Sequence, residues 1–105
     1  MDKKTERRYK VEDIINLVSK KSRVTVDELI SLGRQRRLSR VRSIIAFMVT
    51  EYGEGTLSDY GRIVRRDLST LSIGVSRIRK ETEKDLGLRK QMDSMKKELD
   101  KQISK

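Results

Sequence analysis

The sequence predicts an all-α fold, a small helical bundle with a charged helical tail at its C-terminal end. Three observations carry that expectation. No Pro interrupts the 105 residues, apolar residues recur at helical spacing almost throughout, and the alternation of a half-buried strand is nowhere sustained. At 34% hydrophobic and 40% charged, the chain can bury one modest core while much of its length stays at the surface.

Val11, Ile14, Ile15 and Val18 fall at i, i+3, i+4, i+7 and define the first helix. Thr25 with Glu28 makes a T-x-x-E capping box for a short helix carrying Leu29 and Leu32, which Gly33 ends. From about Ser39 the clearest stripe begins, through Val41, Ile44, Ile45, Met48, Val49 and Tyr52, and it stops at Gly53 and Gly55; this is the expected central core helix. Thr56 can cap a helix running to about Val64 with Leu57, Tyr60 and Val64 inward. Gly61 inside it costs about 1 kcal/mol relative to Ala, which points to a close helix-helix approach.

Asp67 or a neighbour can cap a further helix of about 68 to 80, with Leu68, Leu71, Val75 and Ile78 inward. Two short helices joined by a brief turn suggest a helix-turn-helix. On the second, Ser69, Thr70, Ser72, Ser76 and Arg77 fall largely on other faces, and short polar side chains let a helix approach base edges closely; ordinary surface serines would show the same pattern. Gly87 interrupts the charged segment that follows, after which Leu88, Met92, Met95, Leu99 and Ile103 recur at roughly coiled-coil spacing. This tail packs on the domain, packs on a second copy or a partner helix through residues 88–103, or remains a frayed polar helix. The expected organisation is a basic extension at 1–10, a helix-turn-helix domain at 11–80 and the tail at 81–105.

Charge points to an acidic partner. The chain has 26 Lys and Arg against 16 Asp and Glu, a net +10, and residues 34–80 hold eleven basic side chains, ten of them Arg, against four acidic ones. The planar Arg fork suits phosphate and guanine edges, whereas the flanks mostly use Lys. The absence of His and Cys leaves no means of building the usual zinc sites, Cys-His dyads or Ser-His-Asp triads, so neither an enzyme nor a metal or other cofactor is expected. The longest apolar run, Ile44 to Val49, is far short of a membrane span and the first twenty residues are charged rather than signal-like, which places the protein in the cytoplasm, associated with the nucleoid.

From about Val11 to Arg79 the chain resembles the carboxy-terminal DNA-binding domain of the bacterial chromosomal replication initiator, DnaA. The landmarks are V-T-V-D-E-L at 24–29, the basic loop R-Q-R-R-L-S-R-V-R at 34–42, the apolar helix after it, T-L-S-D-Y-G at 56–61 and R-D-L-S-T-L at 66–71. The form R-R-D-L-S-T-L-S at 65–72 is more similar to the DnaA-like domain at the carboxy-terminal end of IS200-type transposases associated with repeated palindromes. The resemblance implies a DnaA/Trp-repressor-like helix-turn-helix that binds double-stranded DNA, with the helix after Asp67 in the major groove. It also implies that Arg34, Arg36, Arg37, Arg40 and Arg42 reach the backbone or adjacent minor groove, with Arg42 as the minor-groove arginine.

The family signature R-D-H-[ST]-T matches here as Arg66, Asp67, Leu68, Ser69 and Thr70, with Leu68 in place of the family's His. Asp67 can accept from a cytosine amino group or serve as an N-cap, Leu68 can only make apolar contact such as with a thymine methyl, and Ser69, Thr70 and Ser72 can bond bases or phosphates. Arg62, Arg65, Arg77 and Arg79 are expected near phosphates. The paired glycines that usually precede the signature are absent, and Val64, Arg65 and Arg66 make a shorter turn. No Walker P-loop and no His-hydrophobe-His motif is present, so neither an ATPase nor a transposase core accompanies the domain. The competing readings are an RNA-binding helical module and an interaction protein that uses the C-terminal helix.

Overall fold

The computed structural model describes residues 9–31 and 35–103 of the chain, and the expected stop at Gly33 and contact at Arg34 lie outside them. Six helices follow one another: α1 (Val11–Ser22), α2 (Val26–Ile30), α3 (Arg36–Tyr52), α4 (Leu57–Val64), α5 (Leu68–Lys84) and α6 (Leu86–Ile103). Among the described residues there is no strand, only one isolated bridge between Tyr9 and Gly53. No helix there is long and apolar enough to cross a membrane. The fold is the all-α bundle the sequence predicts.

Several helix ends have a local chemical cause. Glu12 and Asp13 sit in the first turn of α1 and Lys20 and Lys21 in its last, complementing the helix dipole at both ends. The α1 turn then closes at Arg23, which adopts the left-handed conformation at φ 59°, while the Val24 amide returns to the Ser19 carbonyl at 3.0 Å. In α2 the capping box forms as expected: Thr25 Oγ1 accepts from the Glu28 amide at 3.0 Å, and Glu28 Oε1 accepts from the Thr25 amide at 2.8 Å. α4 opens with a second box, Thr56 with Asp59, at 3.2 and 2.9 Å. Those bonds hold the Asp59 carboxyl below the ordinary aspartate range.

α3 is the hub. It packs on α1, α2, α4 and α5, and Ile45, Ala46, Met48 and Val49 are essentially sealed from solvent. The helix begins at Arg36, a turn earlier than its apolar stripe, because buried Leu38 anchors the basic first turn. α5 lies along it and crosses so closely that a Cβ on Gly74 would meet Ser43 Oγ at 2.5 Å. Gly61 marks the expected close approach of α4 to the start of α5: its Cβ would stand 3.0 Å from the Arg66 carbonyl and 3.3 Å from Leu71.

The C-terminal segment is an 18-residue helix rather than a frayed tail, with Leu88, Met92, Met95 and Leu99 buried. It packs on α1 and α5, supported by a Lys21–Glu98 ion pair and by the Tyr9 hydroxyl donating to Asp100. The break before it falls at Asp85, not Gly87. Asp85 leaves helical geometry and its Oδ1 accepts from the Leu88 amide at 3.2 Å, so Gly87 sits inside the first turn of α6. α5 correspondingly extends to Lys84, four residues beyond the expected end.

Candidate nucleic-acid interface

α4 and α5 form a helix-turn-helix whose turn is made by arginines. Arg65 takes the left-handed conformation at φ 58°, and the Arg66 amide donates to the Gly61 carbonyl at 3.0 Å, closing α4 without a glycine in the turn. A non-Gly residue there is uncommon and carries strain that the surrounding bonds must offset. The Arg66 guanidinium supplies them, donating to the Ser31 carbonyl at 2.5 Å and to the Val64 and Arg65 carbonyls at 3.2 and 3.3 Å.

α5 then presents a helix with two unlike sides. Leu71, Gly74, Val75 and Ile78 face the core. Ser69, Thr70, Ser72, Ile73, Ser76, Arg77 and Lys80 are exposed, and Ser69, Ile73, Ser76 and Lys80, at i, i+4, i+7 and i+11, form the stripe opposite the buried one. Leu68 departs from its expected inward position: it is 50% exposed, because as the first residue of α5 it stands at the mouth of the turn rather than over the core. Asp67 occupies the N-cap position, yet its carboxylate makes no capping bond and is left exposed.

Two arginine-lined clefts flank this helix. At its N-terminal end Arg62, Arg65 and Arg66 line one with Ser58, Asp67 and Leu68. Between α3 and α5, Arg36, Arg40 and Arg77 line the other with Ser39 and Ser43, and there Glu81 holds Arg40 at 2.8 Å. Arg79 is directed elsewhere, to Glu51 at 2.9 Å and over the Phe47 ring. Among the described residues no group of carboxylates gathers as metal ligands.

Arg42 is corrected from an outward, groove-reaching residue to an inward one. It is 6% exposed, and its Nε donates to the Leu29 carbonyl at 2.7 Å while a terminal nitrogen donates to the Ser31 carbonyl at 3.1 Å and to Glu28 at 3.4 Å. Arg42 and Arg66 thus meet on the C-terminal carbonyls of α2, where the helix leaves unsatisfied acceptors. Burial and the neighbouring Arg66 lower the Arg42 pKa, and the carbonyl bonds compensate the repulsion between the two guanidiniums. Tyr60, sealed beneath, donates from its hydroxyl to the Arg42 carbonyl at 3.0 Å. Arg37 is likewise partly committed, donating to the Arg23 carbonyl at 2.9 Å.

Of the residues the sequence singles out, the structure brings Arg62, Arg65, Asp67, Leu68, Ser69, Thr70, Ser72 and Arg77 onto or beside one helix. Arg36 and Arg40 adjoin it across the α3–α5 cleft. Ile73 and Lys80 also belong to the exposed stripe and are not among the sequence's candidates. Counting forward from Ser69 in steps of four and seven would have found both.

An all-α bundle that offers an arginine-flanked helix after a tight turn defines a helix-turn-helix domain of the nucleic-acid-binding class. The comparison with known families makes this specific: the model of the bacterial DnaA protein helix-turn-helix matches residues 11–78, and the chain belongs to that family. Family membership carries DNA binding with it. The chain is also similar to the chromosomal replication initiator protein DnaA of Desulfotalea psychrophila, 30% identical over 80 residues, which is 76% of this chain and 17% of that protein. It therefore spans about a sixth of the length of that relative.

Proposed function

We propose that the protein binds double-stranded DNA sequence-specifically, with the N-terminal half of α5 in the major groove. One observation carries this: a helix face of short polar side chains, open to solvent, is bracketed by two arginine-lined clefts. Arg62 and Arg65 on one side and Arg36, Arg40 and Arg77 on the other neutralise phosphates, and these contacts supply affinity and salt dependence. Ser69, Thr70 and Ser72 meet base edges, and the uncapped Asp67 carboxylate accepts from a cytosine amino group. Arg34, outside the described residues, remains the candidate for the adjacent minor groove, while Arg42 holds the end of α2 and Arg66 ties that end to the turn.

The aromatic residues favour DNA over single-stranded RNA. Tyr9, Phe47 and Tyr60 are buried and Tyr52 is half-buried, so none is presented as a stacking platform. The R-R-D-L-S-T-L-S turn supports placing the domain at the DNA-targeting end of an initiator-like or transposase-related protein working at the nucleoid. Selection from a random duplex library, followed by titration of the enriched and scrambled sequences across salt, tests the proposal. A discrete motif held about a thousandfold tighter than its scramble is the expected outcome, and sequence-blind binding would overturn it.

A further inference from the structure

We infer that Ile73 reads a thymine, packing its side chain against the C5 methyl group in the major groove; this rests on the duplex-DNA reading above. Ile73 is 60% exposed at the middle of the outward stripe of α5. Among the described residues only Leu68, Ile73 and Leu86 are large apolar side chains so exposed, and two of these three stand on α5. Isolated surface hydrophobics are ordinary in proteins. This one is set apart by its place: α3, also seventeen residues long, exposes no large apolar side chain, and on α5 every neighbour of Ile73 along the outward stripe is Ser or Lys.

The fold gains little from Ile at this position. A β-branched residue is a weaker helix former than the Lys, Gln or Glu that would suit an exposed site, and Ile73 lies outside the core cluster. Its surroundings define what can cover it. Arg77 lies one turn on, and arginine-lined clefts lie at the N-terminal end of the helix and along its α3 side, so the occupant must be anionic at its rim and apolar at its centre. Duplex DNA meets both conditions through its phosphates and the thymine methyl, the one apolar group displayed in the major groove. RNA does not, since uracil lacks that methyl.

The test crosses a side-chain truncation with a methyl deletion. In the selected duplex each thymine in turn is replaced by deoxyuridine, which removes only the methyl, and binding is measured for the unaltered protein and for Ile73→Ala. At one thymine the replacement should weaken the unaltered protein about fourfold and leave Ile73→Ala unaffected. Ile73→Val, which keeps one branch of the side chain, should retain part of the discrimination. Thermal melting of the variants reports their folding, and an exposed site should move it little. A deoxyuridine penalty that persists in Ile73→Ala at every position, or no penalty at any thymine, would overturn the inference while leaving sequence-specific binding intact. Failure to enrich any duplex would overturn the DNA reading itself.

Discussion

α3 and α5 are both seventeen residues long and lie packed together, yet α3 buries nine of its residues and α5 only four. The difference lies in how many neighbours each helix serves. α3 is covered on several sides by α1, α2, α4 and α5, so a wide arc of it must be apolar; α5 rests mainly on α3, with α4 and α6 at its ends, and keeps a polar arc open. One helix supplies rigidity and the other display, and a helix that presents side chains to a partner needs both.

Truncating the hub should give the largest effect. Ile45→Ala, at a fully buried position in α3, should cost about 2–5 kcal/mol in urea denaturation, whereas Ser69→Ala on α5 should stay within about 0.5 kcal/mol. If both changes destabilised alike, the division between anchoring and display would fail. Next comes the contrast between inward and outward arginines. Arg42→Ala takes the buried donor from the Leu29 carbonyl, while Glu28 and Ser31 keep other partners, and should lower stability by about 2 kcal/mol, with DNA binding lost only as folding is lost. Arg77→Ala should leave the melting curve in place and reduce the slope of log affinity against log salt by about 1.

A smaller effect tests the cleft between the two helices. Glu81→Gln frees Arg40 and removes a negative charge beside it, so binding to any duplex should tighten severalfold at low salt, and the gain should shrink as salt rises. The smallest concerns the α4 capping box. The Asp59 carboxyl is depressed by its bonds from Thr56, so its contribution is complete above the ordinary aspartate range and is lost as pH falls through the folded value. Acid titration of stability should show this loss, and Asp59→Asn should flatten it.

How much was legible depended on the distance over which the chemistry acts. The apolar stripes of α1 and α3, the Thr25–Glu28 box and the helix after Asp67 are local patterns, and all appear in the structure. The T-x-x-D form at Thr56 is equally local; the sequence yields Thr56 as the cap, and the structure adds Asp59 as its reciprocal partner. The family resemblance assigns Arg42 to the minor groove, but it stands three residues before Ile45 and four before Ala46, both sealed, so the helix rotation already turns it toward the core. Arg66 is harder to read, since one of its partners is a carbonyl thirty-five residues earlier in the chain. The seating of α6 on α1 depends on the same kind of long-range contact, which a two-heptad stripe does not specify.

That seating also joins the beginning of the described fold to its end. Tyr9 joins the backbone at Tyr52 and Glu54 and reaches Asp100 with its hydroxyl, so residues 9 and 100 are spatial neighbours although almost the whole domain lies between them. The first and last helices are thereby fastened together, like the two ends of a buckle. A bundle closed in this way cannot fray at either end without breaking a contact to the other.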